Sequence, residues 1–356
     1  MRHYSGMVGH TKPEFTQVPA GRFAALDGWR AISIVLVLAA HMLPLGPKRL
    51  ELNAGSGYMG MALFFTLSGF LITCQLEQRH QLTSFFVRRL FRILPLAYLA
   101  VLVAAVLNDV SFSQILVTLG FAQTYIESGI MPDLSHFWSL CVEVHFYLFI
   151  GLLMWATRWK GFLALPVIWA LLVVARWYTD RTGGRIHTHL RVDEILSGSV
   201  LAMLFLGKFG QRARAIVARV PALAVVVFFA FTCHPRFVGV HALRGFAASL
   251  LVGHTLLNPD RYRVLAARPL RYLAHISYAL YVIHPFSMHG WLGEGASPYV
   301  KYFKRILCFA ITFGLAHLST FYYEQRFINL AKALCRRIEG SAKPRDAEDR
   351  GLRLTA

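Results

Sequence analysis

Charge is scarce in this chain, and negative charge is scarcer still. Only 15% of its 356 residues are charged, against a usual quarter, and 37 Lys and Arg face 18 Asp and Glu. So little charge does not cover a soluble globule of this size, which removes that class as the first reading. The five cysteines (Cys74, Cys141, Cys233, Cys308 and Cys335) form no CxxC pair, so neither a metal site nor a structural disulfide is expected. No internal repeat and no low-complexity tract breaks the chain. The first apolar run has no clear small-residue cleavage site after it and Asp27 before it, which speaks against a signal peptide.

What is present is hydrophobicity in blocks. Apolar runs lie near 31–46, 59–76, 92–107, 138–156, 161–178, 192–207, 217–233, 242–257, 272–289 and 306–323. Each is about long enough to cross a bilayer as a helix, and lipid leaves no water for unpaired backbone groups. The spacing predicts an all-α polytopic membrane bundle of about ten transmembrane helices. The run 112–126 carries Ser113, Gln114, Thr118 and Gln123, so it reads as interfacial or re-entrant. The net charge of +19 invites a nucleic-acid reading, but its distribution argues for a membrane instead. With both termini cytoplasmic, the cytoplasmic segments hold 26 of the 37 Lys and Arg, as the positive-inside rule requires. Residues 1–24 read as a flexible cytoplasmic terminus, 25–330 as the membrane domain and 331–356 as a basic, partly disordered tail.

Ionisable residues inside such runs are costly and mark function by default. Arg30 and His41 are separated by ten residues, all apolar except Ser33. On a helix they share a face, roughly 16 Å apart along the axis. Alone, Arg30 could be a snorkelling anchor. Ser68-Gly69 interrupts the second run and, read alone, is helix packing. Arg88, Arg89 and Arg92 cluster at the entrance of the third run, before Pro95, and suit phosphate oxygens of a ligand or of lipid headgroups. Glu143 and His41 each sit about five residues from the outer end of their runs, while His145 points to another face. Ser277, Tyr281 and His284 follow i, i+4, i+7, and His284 lies at a similar depth.

Together these segments resemble membrane acyltransferase family 3. The carriers are LDGWR with the Arg30-to-His41 spacing, FFTLSGFLI, RRLFRILP, FWSLCVEVHFYL, RVDEILSG, ISYALYVIHPF and YEQRF, in order across about residues 22–330. The resemblance implies a ten-helix bundle that takes an acyl group, acetyl first of all, from cytoplasmic acyl-CoA. It implies delivery to a carbohydrate or other hydroxyl-bearing acceptor, often on the outer face of a bacterial inner membrane, with the lipid bilayer as partner and no nucleic acid. Arg30 and His41 match its paired residues, Arg89 and Arg92 its arginine motif, and Glu143 the first carboxylate of its WSLxxExxFY pattern. Where many members carry a second acid and Gln, this chain has Val144 and His145. No esterase-like segment follows, which suggests the stand-alone form.

On this reading Arg30, Arg88, Arg89 and Arg92 hold CoA phosphates, and the uncharged pantetheine arm carries the thioester inward. His41, whose side-chain type has an unperturbed pKa near 6.5, acts as general base or as acyl-accepting nucleophile. Glu143 orients an imidazole or positions the acceptor. Ser68, Tyr281 and His284 are oxyanion or acceptor contacts. The rival class is a proton-coupled transporter or export partner for a polar envelope precursor, against which no inverted repeat is visible.

Overall fold

A computed structural model describes residues 20–180, 186–295 and 297–341. Of the flexible terminus expected for 1–24 and the partly disordered tail expected for 331–356, residues 1–19 and 342–356 lie outside the described residues. Among the described residues every regular element is helical and no strand occurs. The α-helices are α1 (Ala20–Met42), α2 (Leu52–Arg79), α3 (Leu82–Leu107), α4 (Phe112–Leu119), α5 (Trp138–Ala156), α6 (Leu165–Thr179) and α7 (Thr188–Phe205). They continue with α8 (Gly210–Arg219), α9 (Ala222–Cys233), α10 (Arg244–Leu257), α11 (Arg268–Ile283), α12 (Pro298–Leu318) and α13 (Gln325–Ser341). A π-helical turn, Ser319–Glu324, joins the last two. Helix α1 thus begins inside the segment 1–24, and α13 reaches into 331–356. All five cysteines are buried and free.

Among the described residues, seven helical stretches are long and apolar enough to cross a bilayer, or eight when α8 and α9, bent by 85° at their break, count as one. The chain is therefore a multi-pass membrane protein, but the ten spans expected from hydropathy are not all reproduced. Helix α7 carries Arg191, Asp193 and Glu194 in its 18 residues, and all three are buried. Helix α11 has 16 residues, about 24 Å, short of a hydrocarbon core. Helix α4 has only eight residues, about 12 Å, too short to span.

Small residues let the inner helices touch. At the α2–α7 crossing, a Cβ on Gly69 would overlap the Ile195 carbonyl, and one on Gly198 would overlap the Thr66 carbonyl. The two glycines are reciprocal, so the backbones meet directly. Gly69→Val is expected to destabilise by more than the ~1–3 kcal/mol of ordinary overpacking, because backbone cannot rotate out of the way. Thermal unfolding of purified protein checks this, and an unchanged midpoint would show that the helices part freely. Helices α1 and α2 are stitched by hydroxyls: Ser33 Oγ donates to the Gly60 carbonyl at 2.9 Å, and Ser56 Oγ to the Leu36 carbonyl at 2.8 Å.

The RVDEILSG segment forms an ionic knot. Arg176 Nη1 on α6 lies 2.9 Å from Asp193 and from Glu194 on α7, and Arg244 Nη2 on α10 lies 3.3 Å from Glu194. In α3, Pro95 removes one ladder bond. The Tyr278 and Tyr323 hydroxyls donate to the carbonyls of Ile93 and Pro95 at 2.6 and 3.2 Å, tying α11 and the π turn to α3 there. Between α3 and α5 the long connection is folded on itself. Gln123 Nε2 donates to the Leu134 carbonyl at 3.1 Å, and Ser111 and Gln114 form a capping box.

Candidate active site

Three helices bring arginines to one place. Arg30 from α1, Arg79 from α2, and Arg88, Arg89 and Arg92 from α3 line a cavity of about 420 Å³, joined by Gln75 and Gln78. The expected four arginines do converge, and Arg79 adds a fifth. No carboxylate lines the cavity, so it is an electrostatic trap for an anion. Arg89 is preset: its Nη2 donates to Gln75 Oε1 at 3.1 Å, and its guanidinium lies 5.7 Å from the centre of the Tyr147 ring. Arg88 is partly committed elsewhere, with Nη2 2.6 Å from Glu339 on α13.

One layer further in, Ser68 Oγ and the Tyr147 hydroxyl both donate to Glu143 Oε1, at 3.0 and 2.6 Å. Tyr147 follows Glu143 by one helical turn, so α5 places both on one face. Glu143, expected to orient an imidazole or to position the acceptor, collects two hydroxyls, and Ser68 serves it as a donor. His145 turns away and bonds Thr188 Oγ1 at 2.8 Å.

Beyond this layer lies a second cavity of about 490 Å³, lined by His41, Tyr58, Ser135, His136, Trp138 and Tyr281 among others. The two cavities share no lining residue. Along α2, Ser68 sits between Met61 of the second cavity and Leu71 of the first. Along α5, Glu143 sits between Trp138 of the second cavity and Tyr147, on which Arg89 stacks. The Ser68–Glu143–Tyr147 layer therefore separates an arginine-rich chamber from an aromatic one.

The end of α1 that carries His41 is clamped. Asn53 Nδ2 donates to the carbonyls of Ala40 and Leu43 at 2.8 and 2.6 Å, and its Oδ1 accepts from the Leu45 N–H at 3.2 Å. His41 Nδ1 lies 3.0 Å from His284 Nε2, and His284 Nδ1 lies 2.8 Å from the Tyr281 carbonyl. A carbonyl can only accept, so in the neutral pair His284 Nδ1 carries the proton and Nε2 the lone pair. His41 Nδ1 must then be the donor. That leaves His41 Nε2 as the bare nitrogen of an exposed ring that lines the second cavity. Tyr281 lines the same cavity, but its hydroxyl donates to the His136 carbonyl and lies 2.5 Å from Ser139 Oγ. Among the described residues no three metal-ligating side chains converge on a metal site.

Sequence reasoning found His41, His284 and Glu143, but not how they pair. It missed Arg79, His136, Asn53 and Tyr147. Tyr147 was legible as the i+4 neighbour of Glu143. His136 was hidden because it lies in the 3-10 turn before α5, where helical periodicity is lost.

Comparison with known proteins gives the same direction. The chain matches the model of the acyltransferase domain of acyltransferase family 3 over residues 23–326. It is 27% identical to the peptidoglycan O-acetyltransferase OatA of Listeria monocytogenes, over 83% of this chain and 54% of that protein. It is also 27% identical to YrhL of Bacillus subtilis, provisionally named a peptidoglycan O-acetyltransferase, over 73% of this chain and 47% of that protein. A Staphylococcus aureus protein provisionally named an O-acetyltransferase is 24% identical over 88% of this chain and 58% of its own length. The chain thus spans about half the length of the curated relatives it matches. No solved structure matches it significantly. With arginines of α1 and α3 gathered at one chamber, His41 at the other, and the family model matched over residues 23–326, the chain belongs to acyltransferase family 3.

Proposed function

We propose that this protein is a membrane O-acyltransferase. It takes an acyl group, acetyl by the names of its relatives, from acyl-CoA as co-substrate and passes it to a carbohydrate hydroxyl, with peptidoglycan the acceptor those names suggest. The observation that carries the reading is the His41–His284 pair, which leaves a bare imidazole nitrogen on the second cavity. The arginine chamber suits the CoA phosphates, because guanidinium forks match phosphate oxygens. The thioester would then cross the Ser68–Glu143–Tyr147 layer. His41 Nε2 takes the acceptor O–H proton, the oxygen attacks the acyl carbon, and the carbon–sulfur bond breaks. The departing thiolate receives that proton, so charge and atoms balance. The lining of the second cavity holds neither Asp, Glu, Lys nor Arg, and its Tyr58 and Trp138 rings suit the faces of an uncharged sugar.

Orientation belongs to the same proposal. The distribution of basic residues supports both termini and the arginine chamber lying on the cytoplasmic side of a bacterial membrane, where acyl-CoA is made. Ten passes are retained, with the charges of α7 neutralised inside the bundle rather than facing lipid. The family match supports acyl transfer over the transporter reading.

The test is purified protein in lipid nanodiscs with radiolabelled acetyl-CoA and peptidoglycan glycan strands. Base-labile label should appear on the strands. If label moves neither to a hydroxyl acceptor nor onto the protein, the reading fails. Arg89→Ala is expected to raise the KM for acetyl-CoA by about 10-fold or more, the scale of one lost charge-assisted hydrogen bond, with kcat changed far less. An unchanged KM would remove Arg89 from the donor site.

A further inference from the structure

The second cavity contains an imidazole that nothing above employs. His136 is only 8% exposed, contributes to the cavity wall with His41, and both its ring nitrogens are buried without a hydrogen-bond partner, so a turn of the ring is what brings an N–H to the cavity. Its ring centre is 5.2 Å from that of His284 and 5.0 Å from that of Tyr281, edge to face with both. The Tyr281 carbonyl is close by, but it is already bonded by His284 and sits outside hydrogen-bonding geometry for His136. The main chain around His136 is by contrast fully held. Its carbonyl accepts from the Tyr281 hydroxyl, and the carbonyl of Leu134 accepts from Gln123.

A rigid backbone presenting an unsatisfied buried side chain runs against folding stability. Each unmade hydrogen bond of a buried polar group is a cost, whereas an apolar ring of the same shape would carry none. Such violations concentrate at functional sites. The three groups that could have stabilised an oxyanion from sequence are engaged: Ser68 with Glu143, the Tyr281 hydroxyl with the His136 carbonyl, and His284 with His41 and Tyr281. A neutral imidazole always has one N–H, and that of His136 is uncommitted.

We propose that His136 is a catalytic residue whose ring N–H donates to the acyl carbonyl oxygen as that oxygen gains charge. This rests on the acyltransferase reading above. As the acceptor oxygen bonds to the acyl carbon, the carbonyl electron pair moves onto oxygen and is met by the His136 N–H. When the pair returns, the carbon–sulfur bond breaks and His136 is unchanged. A donor that binds only the developing charge affects turnover rather than substrate affinity.

The experiment compares wild type, His136→Leu, His136→Gln and His41→Ala in nanodiscs, using radiolabelled acetyl-CoA and peptidoglycan glycan strands, with thermal unfolding of each. His136→Leu should lose about 100-fold or more in kcat, with both KM values within about 3-fold of wild type and a melting temperature equal or higher. His136→Gln, which keeps an N–H donor, should recover about 10-fold of that loss. The proposal is overturned if His136→Leu keeps more than about a third of wild-type kcat. It is equally overturned if the loss lies wholly in the acceptor KM, or if both variants lose activity together with stability. An active His136→Leu beside an inactive His41→Ala sinks this proposal alone. A wild-type protein that moves no label sinks the acyltransferase reading and this inference with it.

Discussion

His41→Ala is expected to lower acyl transfer by about 10²–10⁴-fold while leaving insertion and folding intact, the scale on which a positioned general base contributes. The structural cost is small because the residue is exposed and lines the second cavity, and the end of α1 is held by Asn53. The informative companion is His284. His284→Gln keeps an oxygen able to accept from His41 Nδ1–H, whereas His284→Leu leaves His41 free to place its proton on Nε2 and so to lose its basic nitrogen. Activity should therefore fall in the order wild type, Gln, Leu, with His41→Ala lowest. Initial rates with acetyl-CoA and glycan strands check the series, and membrane-fraction yield checks folding. Substantial transfer by His41→Ala would end its assignment as base. Label retained on His41 of wild type after acetyl-CoA alone would make it the nucleophile instead.

The parts of this site that were legible in sequence are those that depend on one helix. The interval from Arg30 to His41 is a length along α1, and a regular helix converts it directly into distance. The clustering of Arg88, Arg89 and Arg92 is likewise local to α3. The His41–His284 bond joins residues 243 positions apart, and no periodicity specifies it. Glu143 was found as a buried carboxylate, but its partners Ser68 and Tyr147 depend on how α2 and α5 are rotated against each other. Hydropathy read the bundle as membrane-embedded, but its ten runs and the seven or eight spans counted by length and apolar composition among the described residues differ, because neither measure knows which residues face the interior. Helix α7 is the clearest case. Its three charges look forbidding to lipid, yet they are turned inward.

The two-chamber arrangement gives the middle layer a mechanical meaning. Arg89 stacks on Tyr147, Tyr147 donates to Glu143, and Glu143 accepts from Ser68. A phosphate drawing Arg89 away from Gln75 and Tyr147 would loosen the first link of that chain. On the proposed reading, donor binding in the charged chamber and passage of the thioester to His41 would be coupled through these neighbouring hydrogen bonds.

The largest stability effect is expected at Glu194, which lines neither chamber. Its Oε1 lies 2.9 Å from Arg176, 3.3 Å from Arg244 and 3.6 Å from Arg191, and all four side chains are buried. Glu194→Ala leaves three guanidiniums facing Asp180 and Asp193, so one buried positive charge loses its counterion. Breaking one partner of such a network costs about 3–5 kcal/mol, because the orphaned charge cannot be returned to water. The damage would spread to the site, since Arg244 lies 4.4 Å over the Tyr58 ring and Arg191 5.7 Å over the Trp138 ring, both walls of the second cavity. A lower melting temperature and reduced yield in detergent are the expected readouts. Glu194→Gln separates charge from shape. It should lose most of the same stability if the deficit is electrostatic, and it should resemble wild type if Glu194 matters only as a hydrogen-bond acceptor. A melting temperature of Glu194→Ala within about 2 °C of wild type would mean that water or helix rearrangement neutralises the cluster, and that α6, α7 and α10 are held by packing alone.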